Sequence, residues 1–429
     1  MSHIIDALKI KEIRDKLLYM AAVMLIVRIG SQIPIYGSNP QYLESILKDA
    51  RFNLLDMFSG GSFSNLSIFA LSVTPYITAS IIIQLLTIAI PALEEMSQDG
   101  ETGSQKLNDI TRYTAAALAL LEATGMCIGF SKQQIFTGGP LYLTLAIMTM
   151  TAGSIYLMWL GEQCTEYGIG NGTSFILLIN ILSRVPQMAA SVYEQLIKGQ
   201  TLAKGCLAAV VSIIILLGIT VFVVILDGAV RNIPVLHSKK FTTSSRYINR
   251  NQQTIPLKVN TSGVIAVIFA SSIMSFPSII ASFIGKTSEW GWLSYLNQNN
   301  WFSLTRPQYS LGAVVYCALV IFFAYFYTEI QFNPKLIADD LKKQGAVIPG
   351  IGQGKGTEMY LAGIMRHVIF IGAVGLLIVC LLPIIMNGVS SANVSFGGTS
   401  LIIVAGVIVE ITKQVEAMLV DRGRKGFLA

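Results

Sequence analysis

Phe58-Ser-Gly-Gly-Ser-Phe-Ser-Asn-Leu-Ser-Ile-Phe-Ala-Leu-Ser-Val-Thr-Pro-Tyr-Ile-Thr-Ala-Ser-Ile-Ile-Ile-Gln-Leu-Leu-Thr-Ile-Ala-Ile90 is apolar enough to enter a membrane, yet Gly60, Gly61 and Pro75 cut it into a short piece and a longer one. In hydrocarbon every backbone N–H and C=O has to be bonded internally, so a break is tolerated only where it is buried in protein or lines a water-filled cavity. The stretch is therefore the first place to look for a path. Its motif Ile68-Phe69-Ala70-x-Ser72-Val73, followed by Pro75, returns as Ile268-Phe269-Ala270-x-Ser272-Ile273, followed by Pro277. One such segment in each half points to an internal duplication; a chance match in a chain rich in Ile, Ala and Ser is the alternative.

The surrounding sequence reads as a polytopic membrane protein. It is 53% hydrophobic and only 13% charged, with a mean hydropathy of +0.62, whereas ordinary soluble domains carry about 25% charged residues. No cleavable signal is expected, because Lys9, Lys11, Arg14 and Lys16 lead into a span too long and too polar-ended for one. Apolar runs of about 20 residues fall near 17–36, 58–90, 112–130, 141–161, 171–189, 206–227, 262–284, 309–328, 360–386 and 396–415.

Ten spans put both termini on one side. With the N-terminus inside, the cytoplasmic segments would hold twenty of the thirty Lys and Arg, so the positive-inside bias predicts cytoplasmic termini. A split after the fifth span gives halves 1–205 and 206–429 that start on opposite sides of the membrane. They would be inverted repeats, whose function usually lies at their interface. The Ile68 and Ile268 segments are then expected as the second helix of each half, facing one another.

Two expected cytoplasmic loops are long and basic. The first, 228–260, carries Arg231, Lys239, Lys240, Arg246, Arg250 and Lys258; the second, 329–359, carries Lys335, Lys342, Lys343 and Lys355. They either fix topology or form a platform for a large acidic partner.

Catalytic and cofactor chemistry is not legible. His3, His237 and His367 are scattered, and Cys127, Cys164, Cys206, Cys317 and Cys380 show no metal-ligand spacing. No cofactor and no metal is expected. Gly350-Ile-Gly-Gln-Gly-Lys-Gly-Thr357 fails as a phosphate loop because Gly356 separates Lys355 from Thr357 and no buried strand precedes it. Gly168-Ile-Gly-Asn-Gly172 lacks the last glycine and the βαβ setting of a dinucleotide site. Charges inside spans, the mark of an ion-coupled carrier, are few. Glu122 is the main acid, Arg28 reads as a snorkelling or structural cation, and Gln84 reads as helix glue or as part of a gate.

Beyond the opening stretch, Met158-Trp-Leu-Gly-Glu-Gln163, Gly168-Ile-Gly-Asn-Gly172, Pro256-Leu-Lys-Val-Asn260, Phe332-Asn-Pro334, Asp340-Leu-Lys-Lys343, Pro349-Gly-Ile351 and Phe396-Gly-Gly-Thr-Ser-Leu401 stand in order from Lys11 to Phe427. Together they resemble the SecY family, the channel subunits of the bacterial Sec protein translocase. That resemblance implies an all-α polytopic membrane protein, its ten transmembrane helices in two inverted five-helix halves forming a clamshell around an hourglass pore. It implies no enzyme but a channel that passes unfolded secretory polypeptides across the plasma membrane and releases hydrophobic segments sideways.

Residue by residue, it implies a pore ring of Ile77, Ile81, Leu177, Ile268, Phe276 and Ile403. A plug, expected as a half-helix over about 58–70, would hinge at Gly60 and Gly61 and carry Phe63, Asn65 and Leu66. A lateral gate would form between the helix over 75–90, with Pro75 and Gln84, and the span 262–284, with Ser271, Ser272 and Pro277. A hydrophobic ring makes physical sense, since it blocks ions by dewetting without binding a passing side chain. Implied partners are SecE-like and SecG-like membrane subunits, a SecA motor ATPase or the ribosome, signal peptides, nascent polypeptides and membrane lipid.

One departure matters. The family tip commonly reads Pro-Gly-Ile/Val-Arg-Pro-Gly, while this chain has Pro349-Gly-Ile-Gly-Gln-Gly354. Docking of a cytoplasmic partner is accordingly expected to shift to Arg246, Arg250, Lys342, Lys343 and Lys355. Two other classes stay open: a five-plus-five inverted-repeat secondary transporter for a small solute, which needs a midplane polar site, and an intramembrane enzyme, which needs a dyad or metal cluster inside the spans.

Overall fold

The computed structural model describes residues 10–38, 56, 59–131, 139–192, 202–237, 253–263, 265–284, 292–296, 301–302, 307–390 and 398–425. Among these residues each of the ten apolar runs carries a helix over at least part of its length. They are α1 (Lys11–Gly30), α2 (Thr74–Ala89), then beyond a short α3 (Pro91–Gln98), α4 (Gly100–Ser131), α5 (Pro140–Tyr167), α6 (Gly172–Val192), α7 (Leu202–Gly228), α8 (Ile265–Ile284), α9 (Leu311–Gln331), α11 (Lys355–Ser390) and α12 (Gly398–Lys425), with α10 (Pro334–Lys343) between α9 and α11. By length and composition alone, Gly100–Ser131, Pro140–Tyr167, Leu311–Lys343 and Lys355–Leu382 are long and apolar enough to cross a membrane. The pair Thr74–Ala89 and Pro91–Ser97, bent by 107°, makes a fifth if it counts as one span.

Local sequence sets the helix ends. Pro75 sits in the first turn of α2, where a missing N–H costs nothing, and Pro91 ends the helix by forcing Ile90 into an extended conformation. Asn171 caps α6, its Oδ1 accepting from the Thr173 N–H at 3.1 Å and from the Ser174 N–H at 3.3 Å. A side chain at the neighbouring Gly172 would meet the Gly161 carbonyl at 2.0 Å. The glycine run 168–172 is thus a cap and a close helix contact, with no ligand needed to account for it.

Packing joins neighbouring and distant helices alike. Before Leu202, α1 packs on α5, α2 on α4, α4 on α5 and α5 on α6; from Leu202 on, α7 and α11 pack on α12, α8 on α9 and α9 on α11. The main contacts between these two groups are α4 with α8 and α6 with α12.

The expectation of an all-α chain needs correction. Strands β1 (Val230–His237), β2 (Gln253–Lys258) and β3 (Ala346–Val347) form an antiparallel sheet in the order β2-β1-β3. Burial alternates along β1, with Ile233 and Val235 inside and Arg231, Asn232, Pro234 and Leu236 exposed, the period of a half-buried strand. Ile233 and Leu257 then pack with Ile348, Leu361, Met365 and Ile369. Because β1 belongs to the first basic loop and β3 to the second, with Leu236 opposite Val347, one sheet joins strands of the two loops.

A second correction concerns the plug segment. No regular helix forms over 60–73; beyond Ser59 the backbone runs as successive turns. Leu66 and Ser72 have φ of 44° and 54°, which interrupts any helix. The backbone groups that a helix would use are diverted to residues 33–35: the Ile35 N–H donates to the Leu66 carbonyl at 2.8 Å, and the Ile68 N–H to the Ile33 carbonyl at 3.1 Å. The sequence echo accordingly falls on unlike backbone, turns at Ile68–Val73 and helix at Ile268–Ile273, so Ile68 is not in the second helix of its half.

Candidate functional site

The turns of 59–73 sit in a socket built by the first half. Phe63 and Leu66 are fully buried with Ile35, Met126, Cys127, Phe130 and Met150, and the Phe63 and Phe130 rings lie 6.0 Å apart. Asn65 is half-buried, its N–H on the Gly61 carbonyl at 3.1 Å. Gly60 and Gly61 adopt φ of +64° and +91°, a region open mainly to glycine. A side chain at Gly60 would also meet the Asn180 backbone at 2.7 Å.

Polar bonds fasten this segment at both ends. The Gly60 carbonyl accepts from Ser183 Oγ at 3.1 Å and from Arg28 Nη1 at 3.3 Å. Arg184 pairs with Asp56 and donates to Ser64 Oγ at 3.0 Å, and Asp56 accepts from the Ser64 N–H at 2.9 Å. At the far end Asn180 Nδ2 donates to Ser72 Oγ at 2.9 Å and Ser154 Oγ to the Ser72 carbonyl at 3.1 Å. Arg28 therefore has a structural role. Asp56, Asn180, Ser183 and Arg184 went unnoticed in the sequence because their partners are far along the chain.

Beneath the socket lies an apolar layer. Leu177 of α6 and Ile403 of α12 are buried in one cluster with Phe69 and Val73, and Ile77 of α2 and Ile268 of α8 pack against it. Four of the six expected ring residues thus lie in or against this one cluster. Ile81, one turn along α2, is buried in the adjoining cluster with Ala266, Val267, Phe269, Ala270 and Met274 of α8, and Ile77 touches both clusters. The side chain of Phe276 lies outside the described residues.

Along the expected gate, Ser271 is buried, and Ser272 and Pro277 are half-buried on α8. Gln84 bonds within its own helix, its Nε2 donating to Ser80 Oγ at 3.3 Å, while its Oε1 is buried with no partner among the described residues. At the expected cytoplasmic end Lys342, Lys343 and Lys355 are exposed, and Lys343 lies 3.7 Å from Asp340. Arg246 and Arg250 lie outside the described residues.

A family profile described as SecY matches residues 67–412. The protein translocase subunit SecY of Streptomyces galbus is 38% identical over 98% of both chains. The chain belongs to the SecY family. The SecY subunit of Escherichia coli K12 is likewise 38% identical, over 96% of this chain and 92% of the relative. Among solved structures, one described as a protein conducting channel matches with a TM-score of 0.68 at 16% identity, over 94% of this chain and 92% of that one. A second, in which the SecY plug domain is described as stabilising the closed state and maintaining a membrane seal, matches with a TM-score of 0.65 at 17% identity, over the same shares. Sec61 in a canine ribosome-channel complex matches with a TM-score of 0.64 at 16% identity, again over 94% and 92%.

As a SecY family member, the chain is a membrane translocase subunit and a protein-conducting channel. SecY proteins are channels, and the solute-transporter reading has no support among these relatives.

Proposed function

We propose that 1–205 and 206–429 are two inverted five-helix halves that close as a clamshell around an hourglass pore in the bacterial plasma membrane, with both termini cytoplasmic. The presence of Ile77, Leu177, Ile268 and Ile403, from four different helices, in or against one apolar cluster that also holds Phe69 carries this reading. It supplies a hydrophobic constriction with the plug seated against it, which excludes ions by dewetting. The excess of Lys and Arg on one set of loops supports the orientation.

The boundary between α2 and α8, where Ile81 shares an apolar cluster with Ala266, Val267, Phe269, Ala270 and Met274, is the lateral gate in this reading. A segment that reaches an open seam is sorted by transfer energy: each Leu or Ile gains roughly 0.3–0.6 kcal/mol in the bilayer, while a central Lys, Arg or Asp costs about 2.5–3.5 kcal/mol. Hydrophobic segments leave sideways and polar ones cross. SecE-like and SecG-like subunits would brace the halves, and a SecA motor or the ribosome would supply force from the end carrying Lys342, Lys343 and Lys355.

Cysteine placed at Ile81 tests the reading. It is expected to crosslink to a secretory chain stalled in transit. An absent crosslink, joined to gradient-driven uptake of a small solute, would overturn it.

A further inference from the structure

The polar bonds to residues 56–72 described above all come from the first half. Arg184, Ser183 and Asn180 of α6, Arg28 of α1 and Ser154 of α5 supply them. The second half meets the same segment through apolar contact, where Ile268, Ile403 and Val407 share a cluster with Phe69 and Val73. The two kinds of contact respond differently to separation of the halves. Apolar surface parted at a seam is recovered against lipid or an apolar substrate segment, while the Asp56–Arg184 pair, its side chains 18% and 17% exposed, lies wholly on the first-half side of the seam and is not broken by parting it; breaking it separately would leave a largely buried charge without its partner.

We infer that Arg184 latches the plug to the first half, so that parting the halves leaves the plug in place and plug release is a second, separate transition governed by the Asp56–Arg184 pair. This rests on the channel reading above. Three anchors on one helix give the latch its geometry. Asn180 holds Ser72, Ser183 holds the Gly60 carbonyl, and Arg184 holds Asp56 and Ser64, so α6 grips both ends of the segment within five residues of its own length.

The test uses the whole translocase complex in lipid vesicles, with ion conductance read at rest and with a signal peptide added. Arg184→Ala is expected to raise resting conductance roughly tenfold or more, as loss of one partner of a largely buried pair shifts a two-state equilibrium, and to leave the peptide-induced maximum unchanged. Arg184→Lys and the swap of Asp56→Arg with Arg184→Asp are both expected to bring the resting level back toward the parent's, which a misfolded variant would not do. A parent that conducts with peptide while R184A stays silent at rest would overturn the latch alone, as would a leak that neither the lysine nor the swap reduces. A parent that never conducts with peptide would overturn the channel reading and the latch with it.

Discussion

Asn180 Nδ2 donates to Ser72 Oγ at 2.9 Å, and both residues are almost completely buried. The bond ties the middle of α6 to the last turn before α2, where Ser72 holds a φ of 54°. Loss of a hydrogen bond between buried groups costs about 0.5–1.5 kcal/mol net. Asn180→Ala is therefore expected to lower the unfolding midpoint of the detergent-solubilised protein by that equivalent. Asn180→Leu, which adds apolar bulk but no donor, is expected to be no better. An unchanged midpoint in N180A would mean that Ser72 holds its turn without this bond.

Gly60 and Gly61 look interchangeable in the sequence and are not in the structure. Alanine at Gly60 faces a left-handed φ, at a cost of about 1–2 kcal/mol, and also the backbone of Asn180 at 2.7 Å, which has no room to move. Alanine at Gly61 faces the same φ cost but only the Arg184 guanidinium at 3.4 Å. Gly60→Ala is thus expected to expose the 59–73 segment to protease in membranes more than Gly61→Ala does. Equal cleavage of the two variants would count against the fit of Gly60 on α6.

How much was legible varies with the kind of signal. Apolar runs of about 20 residues are a one-dimensional signal, and each carries a helix. The expected ring residues came from matched motifs, and four of them meet in one cluster because they sit on four different helices that border it. The turns of 59–73 were not readable, since left-handed backbone at Leu66 and Ser72 leaves no mark in residue type. The sheet was half-readable: burial alternates over Asn232–Leu236, but the Arg, Asn and His of the strand made it look like a solvated loop. The Asp56–Arg184 pair joins residues from distant spans, and nothing local in the sequence singles out either.

Leu177 and Ile403 are buried in the apolar layer beneath the plug segment. Replacing Leu177 by Ala is expected to cost about 2–5 kcal/mol through lost burial and a residual cavity. Leu177→Asn adds a polar group to the layer, so it is expected to raise resting ion conductance of the reconstituted complex more than L177A does, because a polar side chain favours wetting of a hydrophobic constriction. Conductance in L177N no higher than in L177A would place the seal elsewhere.

Asn333 caps α10, with its Oδ1 accepting from the N–H groups of Lys335 at 3.1 Å and Leu336 at 3.4 Å, and Pro334 follows at the first helical position. The cap orients a helix whose last turn carries exposed Lys342 and Lys343, beside the sheet that joins both basic loops. Loss of an N-cap costs about 0.5–2 kcal/mol, too little to unfold the protein but enough to fray a ten-residue helix. Charge reversal at Lys342, Lys343 and Lys355 removes the field itself and so is expected to slow association of a cytoplasmic motor or ribosome most at low salt. Asn333→Ala leaves every charge in place but loosens the helix that presents two of them. It is expected to weaken binding with little change in salt dependence, measured as association and dissociation rates across an ionic-strength series. If the charge-reversed variant bound at the parent's rate at low salt, partner docking would not run through these three lysines.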